Sequence, residues 1–347
     1  MNIRGSIVRC LREWGYDIKD DSGSILLNDG MTIDVIRPQK YVTIDVPVFS
    51  VDTEDEEFRD LLLKTCNVLN DGYVWHTHFY YDEQWQEATA SLEFDWTSGE
   101  DATFNLHKAM LVMERMPIFF AEATSIVEDK GEITPEEIWR LEHRLMDEVY
   151  IELMSDKTLL YIHGLASSGN SGTAKEIQRR LPKTRVLSPD LPVNPQEAYN
   201  MLCRVIDEEE VDVMVGSSMG GMFANVLNGV AKVLVNPSFH VSESMRKRIG
   251  TMPFFGERKD GATDFEITEE LCDAYAKLER RQFAFFHERD TGETFALFGS
   301  DDDTVNCKDE YMKYFGDAYE MFTGGHRLNP EVIHDKLIPI VAELVKW

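Results

Sequence analysis

Residues Gly216-Ser217-Ser218-Met219-Gly220 constrain this chain more than any other five. Before them runs Val211-Asp212-Val213-Met214-Val215, an apolar, β-branched stretch with the character of a buried strand. After them, Met222-Phe223-Ala224-Asn225-Val226-Leu227 reads as a helix. Gly-x-Ser-x-Gly between strand and helix dictates a sharp turn, in which the serine backbone is strained and side chains two positions to either side would collide. Glycine at Gly216 and Gly220 removes that collision. The Ser218 hydroxyl is then held above the end of the sheet, within reach of a base. Three common residue types at this spacing occur by chance in roughly one such chain in ten. The surrounding sequence therefore decides what the pentapeptide means.

Beyond residue 155, strand and helix patterns alternate. Strands are expected at 158–162, 184–187, 211–215, 232–235, 294–298 and 318–322, with helices at 173–181, 195–208, 222–227, 308–315 and 329–345. Repeated β-α units dictate an α/β fold, a parallel sheet with helices on both faces. Residues 239–292 interrupt the alternation with a helical insertion, where a cap over a site is expected. Upstream the pattern differs. Strands at 41–51, 72–81 and 85–96 come in a run, flanked by helices at 3–14, 56–69 and 102–122. That order is a smaller α+β domain with an antiparallel meander. Thr134, Pro135 and Glu137 mark a helix start, with Thr134 as N-cap and Glu137 closing a capping box. The helix extends over 135–154 and is expected to bridge the two parts. A length of 347 residues also favours two domains, 1–155 and 156–347.

Charge narrows the partners. The chain carries a net charge of −28, of which residues 1–156 hold −20, with 33 acidic and 13 basic side chains. Phosphate binding needs a cationic surface, so nucleic acid is excluded as an expected partner. The acidic half serves solubility or attracts a basic partner. No apolar run approaches the roughly 18–20 residues of a membrane span. The N-terminal residues lack the layout of a signal peptide. Five scattered cysteines (Cys10, Cys66, Cys203, Cys272, Cys307), without a Cys-x-x-Cys pair, suggest reduced, core-packed thiols and a cytoplasmic protein.

A serine hydroxyl needs a base to remove its proton, and a histidine base needs a carboxylate to orient it. In parallel-sheet folds these follow the serine in the order acid, then histidine, each after a strand. The expected strand 294–298 ends in Gly299-Ser300-Asp301-Asp302-Asp303-Thr304-Val305, and the last strand ends in Thr323-Gly324-Gly325-His326. Asp302 is the expected acid, with Asp301 and Asp303 as rivals, and His326 is the expected base. A developing oxyanion needs donors, for which the backbone N–H groups of Met219 and Leu165 are assigned. Leu165 lies in His163-Gly164-Leu165-Ala166-Ser167-Ser168-Gly169, where His163 is expected to stabilise the loop. Gly164 to Ser171 nearly spells a phosphate-binding loop, but Asn170 stands where its lysine belongs, so nucleotide hydrolysis is rejected.

The segment Tyr161-Ile162-His163-Gly164-Leu165-Ala166-Ser167-Ser168, the elbow with Gly221, Val235-Asn236-Pro237, Gly299 to Val305 and Gly324-Gly325-His326 together resemble the YqiA/YcfP-like family of small bacterial α/β-hydrolases, over about residues 157–347. The resemblance implies esterase or thioesterase activity on acyl substrates, with Ser218, Asp302 and His326 as triad and no metal or organic cofactor. Leu165 departs from the family pattern, where an aromatic is common, and Thr304-Val305 is less apolar than usual. Residues 1–155 loosely resemble YbjN-like proteins and type III secretion chaperones in element order, which implies a protein partner or self-association through that half.

Several residues carry secondary expectations. His76 and His78, two apart on an expected strand, could share a metal-binding face, though a polar strand face is the simpler reading. His240 could line the pocket. Met252, Phe254 and Phe255 could form an acyl-binding lid, with core packing the alternative. Arg246, Lys247, Arg248, Arg258 and Lys259 could supply a basic patch for acyl-CoA phosphates. The two functional hypotheses are a serine hydrolase and a non-catalytic adaptor that uses the hydrolase fold as scaffold and the acidic N-terminal half for binding.

Overall fold

Residues 1–152 and 153–346 form two compact units. The computed structural model describes residues 2–20, 23–27, 30–36, 40–50, 55–72, 74–96, 100–284 and 292–345. Residues 51 and 73, at ends of the expected strands, and 285–291 of the expected insertion lie outside the described residues.

The first unit runs α1 (Ile3–Glu13), β1 (Ile18–Asp20), β2 (Ile25–Leu27), β3 (Thr32–Ile36), β4 (Tyr41–Ser50), α2 (Glu56–Asp71), β5 (Thr77–Asp82), β6 (Glu87–Asp95), α3 (Glu100–Met113), α4 (Met116–Lys130) and α5 (Pro135–Leu153). The strands form one antiparallel sheet in the order β1-β2-β3-β4-β6-β5. Along β4, Val42, Ile44, Val46 and Val48 alternate into the core, as period-2 geometry requires. The pattern of sequence missed β1 to β3, because three- to five-residue strands are too short to show a period. The helix expected at 102–122 is two helices. Pro117 lacks the N–H that would continue the ladder, and a second helix starts at Met116 with that proline in its first turn. The expected capping box is present. Thr134 N–H donates to Glu137 Oε2 at 2.8 Å, and Glu137 N–H donates back to Thr134 Oγ1 at 3.3 Å.

The second unit holds β7 (Thr158–Ile162), α6 (Gly172–Arg180), β8 (Arg185–Leu187), α7 (Pro195–Glu209), β9 (Val213–Ser217), α8 (Met219–Val226), β10 (Ala231–Val235), α9 (Val241–Arg246), β11 (Gly250–Pro253), β12 (Asp264–Ile267), α10 (Glu269–Glu279), β13 (Thr294–Gly299), α11 (Lys308–Phe315) and β14 (Tyr319–Phe322). Six strands make a sheet in the order β14-β13-β10-β9-β7-β8, with every pairing parallel. β7 and β10 are buried at all five positions, the signature of a sheet covered on both faces. The chain passes outward from β7 to β8 and then returns to β9 on the other side. The strand order therefore reverses between β7 and β9, the crevice where α/β sheets place ligands.

Two expectations change here. The insertion is not wholly helical, since β11 and β12 form an antiparallel hairpin between α9 and α10. The C-terminal helix is not continuous. It runs as a short helical turn at Pro330–Val332, a π-helical turn over Ile333–Leu337 and a helix at Ile338–Leu344. Pro339 has no N–H to give the preceding turn, and the wider turn sits immediately before it.

Candidate active site

Ser218 joins β9 to α8 with φ 56° and ψ −117°, in the positive-φ range that costs a non-glycine residue energy. The neighbouring glycines show why that conformation survives. A Cβ on Gly216 would lie 2.4 Å from the Gly220 carbonyl oxygen, and one on Gly220 would lie 1.9 Å from that of Ile162. The elbow is thus pressed onto the end of β7, with no room for a methyl group at either position. Ser218 N–H donates to Val235 O at 2.9 Å, and Ser218 O accepts from the N–H groups of Gly221 at 2.9 Å and Ser238 at 3.0 Å. At the far end of α8, the buried Lys232 donates to the carbonyls of Ala224 and Leu227, satisfying acceptors that a helix end leaves open.

The loop after β7 passes beside the serine, for a Cβ on Gly164 would be 3.3 Å from Ser218 Cβ. Ser167 N–H donates to Gly164 O at 3.2 Å, closing a turn in which Ala166 has φ 58°. Leu165 sits in that turn. Met219 opens α8, so its N–H is one of the first-turn donors without an intrahelical acceptor.

The acid and histidine segments are stitched together by backbone contacts. Ser300 N–H donates to Phe322 O and Asp301 N–H to Gly324 O, both at 2.9 Å. Gly299 permits the approach, since a Cβ there would fall 2.5 Å from Gly325 O and 2.6 Å from Gly324 O. Of the three consecutive aspartates, Asp302 faces His326. Its Oδ2 accepts from His326 Nδ1 at 2.8 Å, and its side chain is 4% exposed. Its Oδ1 accepts from the N–H groups of Thr304 at 2.9 Å and Val305 at 3.1 Å. The side chains of Asp301 and Asp303 are exposed, and among the described residues their carboxylates accept only from the neighbouring hydroxyls of Ser300 and Thr304. A carboxylate only accepts, so the proton of a neutral His326 sits on Nδ1 and Nε2 is left as a base. The Ser218 hydroxyl itself makes no hydrogen bond among the described residues.

His163 is a structural residue. It is 2% exposed, its Nδ1 donates to Gly164 O at 2.8 Å, and its Nε2 accepts from Leu191 N–H at 3.2 Å. Only the neutral ring satisfies both bonds. Burial pushes its pKa down, aided by Arg258 and opposed by the Gly164 bond and Asp190. The unfolded chain takes up a proton near pH 6.5, while the folded chain resists until lower pH. Stability is therefore full above pH 6.5 and is lost as pH falls through the depressed folded value, by at most about 1.4 kcal/mol per pH unit. The melting temperature of the wild type should fall more steeply between pH 7.5 and 5 than that of His163→Gln. Equal slopes would show that this ring stays uncoupled from folding.

Other expected residues go elsewhere. His76 has φ 58° in the turn before β5, so it does not share a strand face with His78. Among the described residues no group of three or more His, Cys, Asp or Glu side chains could hold a metal. His240 precedes α9 and bonds Glu310 Oε2 at 2.7 Å. Two residues of the expected basic patch are paired with acids: Arg246 with Glu269 and Asp273, and the buried Arg258 with Asp260. Phe254 packs on Phe265 with centroids 4.9 Å apart, whereas Phe255 is 61% exposed and its N–H donates to Ala166 O at 2.7 Å. The insertion is thereby tied to the loop after β7. Arg327, next to His326, lies over the Phe255 ring at 5.8 Å. Cys66, Cys272 and Cys307 are buried, but Cys10 and Cys203 are partly exposed, and none of the five forms a disulfide. Burial pushes the Cys66 thiol up to about 11. A cavity of about 390 Å³ beside α6 is lined by Asn170, Lys175, Ser188, Arg258 and Lys259 among others, and by none of Ser218, Asp302 and His326. No described helix is long and apolar enough to cross a membrane.

The second unit has an α/β-hydrolase-type fold: a parallel sheet flanked by helices, with a Gly-x-Ser-x-Gly elbow at the reversal of strand order. The profile of UPF0227, described as an uncharacterised protein family, matches residues 158–341, and the chain belongs to that family. It is the YqiA/YcfP-like family that the sequence resembles. No curated protein matches the chain. Similar solved structures include the esterase RhEst1 from Rhodococcus sp. ECU1013, at 14% identity, covering 54% of this chain and 91% of that chain with a TM-score of 0.33. An esterase from Exiguobacterium antarcticum matches at 14% identity, over 54% and 92% of the two chains, with a TM-score of 0.34. An alpha/beta hydrolase from Novosphingobium aromaticivorans matches at 16% identity, over 55% and 91%, with a TM-score of 0.38.

Proposed function

We propose that this protein is a serine hydrolase that cleaves carboxylic esters or thioesters of small acyl substrates. The observation that carries the reading is the strained Ser218 at the strand-order reversal, together with the Asp302–His326 hydrogen bond on the loops after the last two strands. In this reading Ser218 Oγ attacks the acyl carbonyl while His326 Nε2 takes its proton. Asp302 fixes the ring and stabilises the imidazolium. The N–H groups of Met219 and Leu165 receive the oxyanion. His326 returns the proton to the departing alkoxide or thiolate, leaving an acyl-serine. Water, deprotonated by the same ring, adds to that ester, and the acid product leaves with Ser218 restored. The chemistry uses only side chains and backbone of the second unit.

A fluorophosphonate probe tests the reading. The wild type should be labelled and turn over short-chain p-nitrophenyl esters, while Ser218→Ala should do neither. A folded wild type that takes no label would sink the hydrolase reading. It would favour an adaptor, in which residues 1–155, with most of the chain's negative charge, bind a protein partner or a second copy.

A further inference from the structure

Asn236 follows β10 directly, between the elbow strand β9 and the acid strand β13 in the sheet. It is 2% exposed and has φ 42°, a left-handed conformation in which asparagine is one of the few tolerated residues. Its side-chain amide spans a junction. Nδ2 donates to Gly325 O at 3.2 Å and to His326 O at 3.1 Å, and Oδ1 accepts from Gly299 N–H at 2.8 Å. Its own N–H donates to Leu297 O at 2.9 Å. One residue earlier, Val235 O accepts the N–H of Ser218. The side chain therefore joins the end of the acid strand to the histidine loop, and the backbone one residue before it holds the N–H of the serine.

We propose that Asn236 is a positioning residue that holds the His326 backbone in register with Ser218 and Asp302, an inference that rests on the serine-hydrolase reading. The amide suits the task because the junction needs two donors and one acceptor on a single planar group. A carboxylate of the same shape would face two carbonyl oxygens with no proton to give. An aliphatic side chain would leave two carbonyls and an N–H unpaired in a buried place. Two glycines precede His326, so the loop has little stiffness of its own and takes its position from what grips it. A displacement of about 1 Å at a reacting group costs on the order of 10²-fold in rate.

The test compares wild type with Asn236→Asp and Asn236→Gly. Asn236→Asp keeps the shape and the acceptor but loses both donors. Asn236→Gly keeps the left-handed backbone at no steric cost and loses all three side-chain bonds. Both should lower kcat on a p-nitrophenyl ester roughly 10²-fold, with KM within about twofold, and slow fluorophosphonate labelling by the same factor. The downfield proton resonance of His326 Nδ1, identified by its loss in His326→Ala, should broaden or vanish in each variant. Cooperative melting shows which variants are folded. A folded variant with kcat within threefold of wild type and an intact resonance overturns the proposal. So does loss of cooperative folding in both variants, which would give Asn236 to sheet stability alone. A wild type that takes no label overturns the hydrolase reading and this inference together, whereas equal labelling of wild type and folded variants overturns this inference only.

Discussion

Replacing Asp302 with Asn should lower kcat on the order of 10⁴-fold while leaving KM and the fold nearly unchanged. The asparagine oxygen can still accept from Thr304 and Val305 N–H, so the turn that begins at Asp302 survives. The difference falls on the other atom. Where Oδ2 accepts from His326 Nδ1, an amide NH₂ would donate. The ring must then turn Nδ1 into an acceptor and carry its proton on Nε2, the atom that should receive the proton of Ser218. Nothing in the shape of the site changes, yet the base arrives already protonated. Asp301→Asn and Asp303→Asn serve as internal comparisons. Both carboxylates are exposed and, among the described residues, accept only from neighbouring hydroxyls, so each should cost less than about threefold. Steady-state kinetics on one ester decides the matter. A larger loss in either neighbour than in Asp302→Asn would move the acid role away from Asp302.

Gly220→Ala should remove activity by a different route, together with part of the stability. The new Cβ would stand 1.9 Å from Ile162 O, 2.6 Å from its carbon and 3.0 Å from His163 O. All three are backbone atoms at the end of a fully buried strand, and none has a rotamer to move into. Either α8 lifts or the end of β7 gives way. Each outcome shifts the elbow against the Leu165 loop and separates the two proposed oxyanion donors, the N–H groups of Met219 and Leu165. Overpacking of this kind costs about 1–3 kcal/mol or more, and each kcal/mol lowers the melting temperature by about 2–4 °C in a unit of this size. Gly172→Ala is the matched control, because nothing lies within 4 Å of its Cβ position and its φ is not positive. The control should melt and label as wild type. A Gly220→Ala protein with wild-type melting and labelling would show that the close packing of the elbow on β7 is not required.

The centre of the parallel sheet was legible because strands such as β7 and β10 are buried on both faces and read as short continuous apolar runs, whereas the edge strands β8 and β14 are partly exposed. The antiparallel unit was legible only in part. β4 and β6 are long enough to show a pattern, but β1, β2 and β3 reach three to five residues and leave no period. The pairing of the expected basic patch was legible only in part, since Asp260 stands two residues from Arg258, whereas Glu269 and Asp273 reach Arg246 from 23 and 27 residues away.

At the site the division follows range. The elbow was legible in the sequence alone, since the strain at Ser218 and the exclusion of a Cβ at Gly216 by Gly220 O belong to one local turn, whereas the exclusion at Gly220 comes from Ile162 and His163 at the end of β7. The order of serine, acid and histidine was likewise written in the chain. Which of three adjacent aspartates faces His326 was decided by the tertiary structure, through the loop bonds that bury Asp302 and leave its neighbours in water. Asn236 shows the limit most clearly. Its three side-chain partners lie 63 to 90 residues away, so its place at the junction exists only once β10, β13 and the histidine loop have come together.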